Sequence, residues 1–316
     1  MPYIKTLKSA SDLVTSREET RAGFIAFAIE KNRRSTPYIE SAKSFKKMAS
    51  EAKKPDDLLN MPNIRVPILT ASGLSDKALN YFNESDQTEA ISELIDKFLK
   101  PAGKSFVEEL VYRYLLIKGD SLGGSMRNVV GSLGQQKLIR TLLSNMSVKS
   151  TDYVWLDGKT NSWFKKPDDD YNIEVTMKAI SWETDTKSRT LAFNLKIPLV
   201  NKNVDLCLFS CNSKNYNCGK IVSQADKIIM LGELKAGIDP AGADEHWKTG
   251  NSALERIRSS FRQANIPIKT SFVGAAIENA MAKEIFEQLQ KGIMDNAANL
   301  SNSDQLIDYC NWLLNI

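Results

Sequence analysis

Two acidic residues and a lysine lie at the ends of apolar segments, where their charges could hold a metal ion and a phosphate. An uninterrupted run of apolar or small residues, 228–232, leads directly into Glu233, Leu234 and Lys235. Such a run predicts a buried strand, and alternation places Glu233 and Lys235 on one side while Leu234 points into the core. Charges in this position are costly to desolvate, so they need partners or a chemical task.

A second apolar segment, residues 204–209, carries Asp205 near its start. An Asp on one strand and Glu-x-Lys on the next form the constellation of metal-dependent phosphodiesterases. The two carboxylates and the Leu234 carbonyl are oxygen ligands of the kind that Mg²⁺ prefers. Lys235 could orient or deprotonate the attacking water and balance charge on the phosphate. A Glu-x-Lys triplet on a solvated surface is the alternative, and the apolar flank argues against it.

The only histidine of the chain, His246, follows Lys235 after a turn that contains Gly237, Pro240 and Gly242. Such a turn can fold back towards the strand that precedes it. An imidazole exchanges protons near neutral pH, so a general base is one interpretation of His246 and a structural residue is the other. The adjacent Trp247 could stack or simply pack in the core, and packing is the expectation.

The segment Gly232-Glu-Leu-Lys-Ala-Gly-Ile-Asp-Pro-Ala-Gly-Ala-Asp-Glu-His-Trp-Lys-Thr249 closely resembles the AvaI/BsoBI group of type II restriction endonucleases. The resemblance extends over nearly the whole chain, through residues 21–28, 35–40, 119–124, 126–128 and 204–209. It implies a homodimeric, Mg²⁺-dependent enzyme that cuts double-stranded DNA at the degenerate palindrome C-Y-C-G-R-G. It also implies a histidine in the active site and, as a partner, a DNA methyltransferase of the same restriction–modification system.

Four residues are expected to contact DNA. The resemblance implies that Lys77 and Asp239 read the degenerate base pair, and a lysine can donate to purine N7, which both A and G present. The glycines of residues 119–124 predict a loop that approaches a DNA phosphate closely. Arg127 and Asn128 would then lie at the start of the next helix, where backbone N–H groups favour anions.

Residues 119–124 read Gly-Asp-Ser-Leu-Gly-Gly and also allow another interpretation. A Gly-Asp-Ser-Leu esterase would use Ser121 as its nucleophile. That family pairs the serine with Asp-x-x-His, but Ala243 occupies the position three before His246, so the triad is incomplete. A non-catalytic DNA-binding protein with a structural acidic cluster is the remaining alternative.

Helical and extended patterns divide the chain near residue 150. Residues 1–150 predict a mainly helical region that contributes to enclosing DNA, with an N-terminal helix that could pack on the core. Residues 151–316 predict an α/β catalytic core with a mixed sheet, as in Asp…Glu-x-Lys nucleases. Expected elements are helices beginning near Ser11 and at Thr36-Pro37, helices over 84–100, 106–117 and 125–145, a hairpin over 173–200, and a helix over 244–263.

Composition restricts the class of protein further. The 316 residues are 42% hydrophobic and 25% charged, which is typical of a globular protein. There is no apolar run of the ~18 residues that a membrane span needs. The first residues lack an apolar signal segment, so a cytoplasmic location is expected. A net charge of +4 does not by itself indicate nucleic-acid binding.

Overall fold

The computed structural model describes residues 6–184 and 186–316. The α-helices in this part of the chain are α1 (Arg17–Ala49), α2 (Arg65–Ala71), α3 (Asp76–Leu79), α4 (Glu84–Leu94), α5 (Phe106–Val148), α6 (Cys218–Ile221), α7 (Ala243–Gln263), α8 (Asn279–Gln290) and α9 (Ser303–Asn315). The strands are β1 (Tyr153–Asp157), β2 (Trp163–Lys165), β3 (Met177–Glu183), β4 (Ser188–Ile197), β5 (Lys202–Phe209), β6 (Ile228–Lys235), β7 (Lys269–Gly274) and β8 (Asn296–Asn299). No helix in the described ranges combines the length and apolarity needed to cross a bilayer.

The strands form one mixed sheet in the order β2-β1-β3-β4-β5-β6-β7-β8. Neighbouring strands are antiparallel from β2 to β6, and β6, β7 and β8 are parallel. The expected hairpin is confirmed as β3 and β4, which are paired from Ala179↔Ala192 to Glu183↔Ser188. The mixed sheet with flanking helices confirms the predicted α/β fold.

Alternate residues of the central strands pack on opposite faces of the sheet. Leu206 and Leu208 join a hydrophobic cluster with residues of α5 and α9, whereas Cys207 and Phe209 join a cluster with residues of α7 and α8. By the same period of two, Asp205 lies on the α7 side of the sheet. Leu231 of β6 also packs on the α7 side, so Glu233 and Lys235 share that side.

The chain forms two compact units, and they do not follow one division near residue 150. The first unit contains the described residues of 6–24 and 130–316, and the second contains Ile25–Val129. The N-terminal segment belongs to the sheet unit because Thr15 binds the chain just after β7. Its Oγ1 donates to the Ala275 carbonyl at 2.8 Å, and its N–H donates to the Ile277 carbonyl at 2.9 Å.

Helix α1 begins later and runs further than expected. Ser16 and Glu19 form a capping box, in which each backbone N–H donates to the other residue's side chain, so the helix begins at Arg17. The predicted helix start at Thr36-Pro37 is wrong, because Pro37 lies inside α1. Proline disfavours a helix interior by about 3 kcal/mol, but the later residues Ala42, Phe45 and Ala49 pack in the core of the second unit and continue the helix.

The predicted loop over residues 119–124 is also wrong, since these residues lie inside the continuous helix α5. Leu122, Met126 and Val129 are buried together against Phe27 and Tyr38. Their spacing of four and three residues is that of one helical face. The apolar stripe therefore outweighs the low helix propensity of the glycines.

Candidate active site

Asp205, Glu233 and Lys235 meet at the end of β6. The antiparallel ladder pairs Leu206 with Gly232, and its next step places Asp205 opposite Glu233. The Lys235 ammonium lies 2.7 Å from Glu233 Oε2 and 3.5 Å from Asp205 Oδ2. The two carboxylates thus converge on one cation.

Burial and mutual charge determine the protonation of these groups. Glu233 is 4% exposed. Its burial, and then the nearby Asp205 carboxylate, raise the pKa of Glu233 to about 7 despite the opposing effect of Lys235. Burial alone would lower the pKa of Lys235, but the Glu233 and Asp205 carboxylates together raise it above its usual value. Lys235 is therefore a stable cation beside an acid that readily takes up a proton.

The main-chain carbonyl of Leu234 provides a further oxygen on the side of β6 that faces Asp205. Its N–H donates to Asp205 Oδ2 at 2.8 Å, so the main chain of Leu234 faces β5. The Lys235 carbonyl faces the other way and accepts from the Ala275 N–H at 2.8 Å. Because N–H and C=O of one strand residue point to the same side, the Leu234 carbonyl is directed towards Asp205.

This donor set fits a hard cation. Throughout residues 6–184 and 186–316, no group of three or more His, Cys, Asp or Glu side chains is arranged for a metal ion. The set at the end of β6 has two carboxylates, of Asp205 and Glu233, and a main-chain carbonyl, which are all oxygen ligands. The position of the Lys235 ammonium between the carboxylates is the observation that favours a cation there.

His246 lies in the first turn of α7, and the preceding turn folds back onto it. A Cβ at Gly237 would lie 3.1 Å from His246 Nδ1 and 3.2 Å from Nε2, so only glycine fits against the imidazole. Nδ1 is buried and has no hydrogen-bond partner among the described residues. Gly250 lies one helical turn after His246 on the same face, and a Cβ there would lie 2.9 Å from the Phe272 ring and 3.7 Å from Lys235 Cε. Sequence analysis missed Gly250; its spacing of four from His246 was the only signal.

Trp247 holds this end of α7 on the sheet. It is 2% exposed, and its ring meets Phe272 of β7 edge to face with centroids 5.2 Å apart. The indole Nε1–H donates to Glu284 Oε2 of α8 at 2.6 Å. The expectation that Trp247 packs in the core is confirmed.

The four expected DNA-contacting residues are divided between the compact units. Asp239 is exposed on the turn after β6 and accepts from the Ala241 N–H at 3.0 Å. Lys77 of α3 is exposed in the second unit, as are Arg127 and Asn128 of α5. The expectation that Arg127 and Asn128 begin a helix is wrong, because α5 starts at Phe106 and the N–H groups of an interior turn are used by the helix itself.

Ser121 has the environment of an ordinary helical serine. Its hydroxyl donates to the Ile117 carbonyl one turn earlier, at 3.1 Å. This bond lies within the continuous helix α5. The esterase interpretation instead needs Ser121 on an exposed loop. The fold therefore removes the structural premise of that alternative.

Comparisons with known proteins agree over the full length of the chain. The family model described as restriction endonuclease BsobI matches residues 3–316. The type II restriction enzyme BsoBI of Geobacillus stearothermophilus is 52% identical over 318 residues, which cover 100% of this chain and 98% of that protein. The type II restriction enzyme AvaI of Nostoc sp. is 49% identical over 316 residues and 100% of both chains. AvaI of Anabaena variabilis has the same identity and coverage.

Proposed function

This chain belongs to the BsobI family of type II restriction endonucleases, and we propose that it hydrolyses double-stranded DNA at C-Y-C-G-R-G with Mg²⁺. Membership makes it a site-specific deoxyribonuclease, an enzyme class that generally requires divalent metal ions. Family membership does not by itself give the recognition sequence C-Y-C-G-R-G or the metal Mg²⁺, and both are part of the proposal. The observation that carries the proposed chemistry is the convergence of Asp205 and Glu233 on the Lys235 ammonium.

Each residue of the site has a distinct part in the proposed reaction. The Asp205 and Glu233 carboxylates, with the Leu234 carbonyl, would hold Mg²⁺. When bound, Mg²⁺ supplies positive charge that polarises the phosphate and activates water. Lys235 stabilises the negative charge that develops on the phosphate. His246 accepts the proton of the attacking water, because an imidazole can take up a proton at neutral pH.

Digestion of a sequenced plasmid, with and without Mg²⁺, tests this proposal. We expect cuts only with Mg²⁺, and mapped ends only at C-Y-C-G-R-G. We expect cleavage to be abolished by each of the substitutions Asp205→Ala, Glu233→Ala and Lys235→Ala. These groups act as a unit, so the loss of any one costs about as much activity as the loss of all three. Lys227→Ala, which removes an exposed lysine at the opposite end of β6, is the matched control. Normal cutting by Lys235→Ala would contradict the assignment, and binding without any cutting would favour the non-catalytic alternative.

DNA reading is proposed for residues of both compact units. Lys77 and Asp239 would read the degenerate base pair, and both side chains are exposed. Arg127 and Asn128 lie on the exposed face of α5, opposite its buried stripe, and would contact phosphates. Arg127→Ala should then weaken binding about equally for all sequences and reduce the salt dependence by about one ion. A loss confined to the cognate sequence would instead indicate a base contact.

We also propose a homodimer that works in the cytoplasm alongside a methyltransferase of the same specificity. A palindromic site has a two-fold axis, which a symmetric dimer matches with one active site for each strand. Light scattering of the protein with a cognate duplex should give two chains per duplex. Methylation of that duplex at the recognition site should prevent cleavage.

A further inference from the structure

The chain just after β6 is packed against glycines of two helices. Gly134 of α5 faces Ala236, and a Cβ at Gly134 would overlap the Ala236 methyl group while lying 3.4 Å from its Cα. Gly23 of α1 faces Ile238 in the same way, and a Cβ at Gly23 would overlap Cγ1 and lie 3.1 Å from Cβ of Ile238. Both helices therefore approach this segment more closely than any residue with a side chain would allow.

The residue between these two contacts packs against the imidazole. Gly237 lies between Ala236 and Ile238 in the chain, and its Cα lies so close to His246 that a Cβ would overlap Cε1. Lys235 directly precedes Ala236. The segment 236–238 thus follows Lys235 directly in the chain and contacts the His246 ring. The two helices restrict the position of this segment.

An added methyl group at Gly134 would have to displace this segment. Carbon atoms are in favourable contact at about 3.5–4.0 Å, so full relief of the overlap with the Ala236 methyl requires a shift of more than about 1 Å. The Ala236 Cβ is bonded directly to the main chain and cannot rotate away, so the strain falls on the backbone of residues 235–237 and on α5 where it faces them. A shift of this size at an active site can reduce a rate about 100-fold.

We propose that Gly134 and Gly23 are positioning residues, which hold segment 236–238 so that Lys235 and His246 keep the geometry that cleavage requires. This inference rests on the proposed function, because it takes Lys235 and His246 as the reacting groups. The two glycines touch neither DNA nor metal in this scheme. They act through Ala236 and Ile238.

The test adds a methyl group at the glycine and then removes the methyl group that faces it. Gly134→Ala should reduce the single-turnover cleavage rate about 10- to 100-fold, with little change in DNA affinity measured in EDTA. Gly134→Ala combined with Ala236→Gly should recover the rate of Ala236→Gly alone, because the overlapping methyl is gone and the remaining tight neighbour, Leu300 Cδ2 at 3.1 Å, is the end of a side chain that can turn away. Gly131→Ala is the control, since it lies three residues earlier in α5 and nothing lies within 4 Å of its Cβ position. Gly23→Ala with Ile238→Ala repeats the test on α1.

A second measurement is independent of DNA cleavage. His246 is the only histidine of the chain, so untagged protein has a single imidazole Cε1–H resonance in its NMR spectrum. Gly134→Ala should shift this resonance and Ala236→Gly should restore it, whereas Gly131→Ala should leave it unchanged. If the wild-type protein cuts no DNA but Gly134→Ala still shifts the resonance, the proposed function is overturned while the positioning contacts are supported.

Three outcomes would overturn the inference. Gly134→Ala could cleave at the wild-type rate with an unchanged resonance, or Gly131→Ala could lose as much rate as Gly134→Ala. The third is a folded double variant that remains slow compared with Ala236→Gly. If Gly134→Ala alone does not fold, the double variant decides between support and rejection by the same comparison.

Discussion

Replacing Glu233 with glutamine should make the metal-free protein more stable while removing its nuclease activity. Glu233 is 4% exposed, and its burial and the Asp205 carboxylate raise its pKa from an ordinary value of 4.5 to about 7. A folded protein that holds such a proton more tightly than the unfolded chain loses stability as the pH rises through this range. Glutamine resembles the protonated acid at every pH and therefore avoids that loss.

The size of the effect follows from the same pKa values. The interval between 4.5 and about 7, at about 1.4 kcal/mol for each pH unit, corresponds to about 3.5 kcal/mol, of which about 3 kcal/mol is reached at pH 7 because the folded acid is still half protonated there. Glu233→Gln should therefore raise the free energy of unfolding by up to about 3 kcal/mol at pH 7. Near pH 4 the wild-type acid is protonated in both states, so the two proteins should be almost equally stable.

Urea denaturation in EDTA, at about pH 4 and pH 7, measures this difference, and plasmid digestion with Mg²⁺ measures activity. Asp226→Asn is the control, because it removes a carboxylate whose side chain is 72% exposed, and it should change stability by less than about 0.5 kcal/mol at either pH. The reasoning is refuted if Glu233→Gln is less stable than wild type at pH 7, or if its advantage is the same at pH 4.

Three further substitutions test other parts of the molecule. His246→Ala should lose about 10²–10⁴-fold in single-turnover rate while still binding cognate DNA, and an unchanged pH–rate profile would make the histidine structural. Lys77→Ala should weaken cognate cleavage by about 1–3 kcal/mol; a cognate-to-noncognate ratio equal to that of Lys104→Ala, an exposed control, would exclude base reading. Hydrogen bonds, chiefly from Thr176, lower the pKa of Asp157 to about 2, so its contribution to stability is present above 3.8 and lost towards about pH 2. Asp157→Asn should therefore lower the free energy of unfolding by about 1 kcal/mol in urea denaturation at neutral pH. The difference from wild type should disappear in acid, and a difference that persists there would contradict the assignment.

Local patterns predicted the sheet better than the helices. Residues 228–232 form an uninterrupted apolar run, so the strand that they begin could be predicted without knowledge of distant contacts. The limits of α1 and α5 did depend on them. Pro37 and the glycines of residues 119–124 are local signals for a break, but side chains of other segments pack on both helices and keep them continuous. Strand β8, only four residues long, carries too short a pattern to be recognised.

The period of two along β6 determined that Glu233 and Lys235 share one face, and the apolar run determined that they lie beside a core. That much is a property of the chain itself, because strand geometry repeats every second residue. Only the tertiary structure decided that β5 is the neighbour of β6, in the register that sets Asp205 opposite Glu233. It alone also brought Gly134 against Ala236, about 100 residues away in sequence. Such contacts depend on how complete elements pack, and no local spacing specifies them.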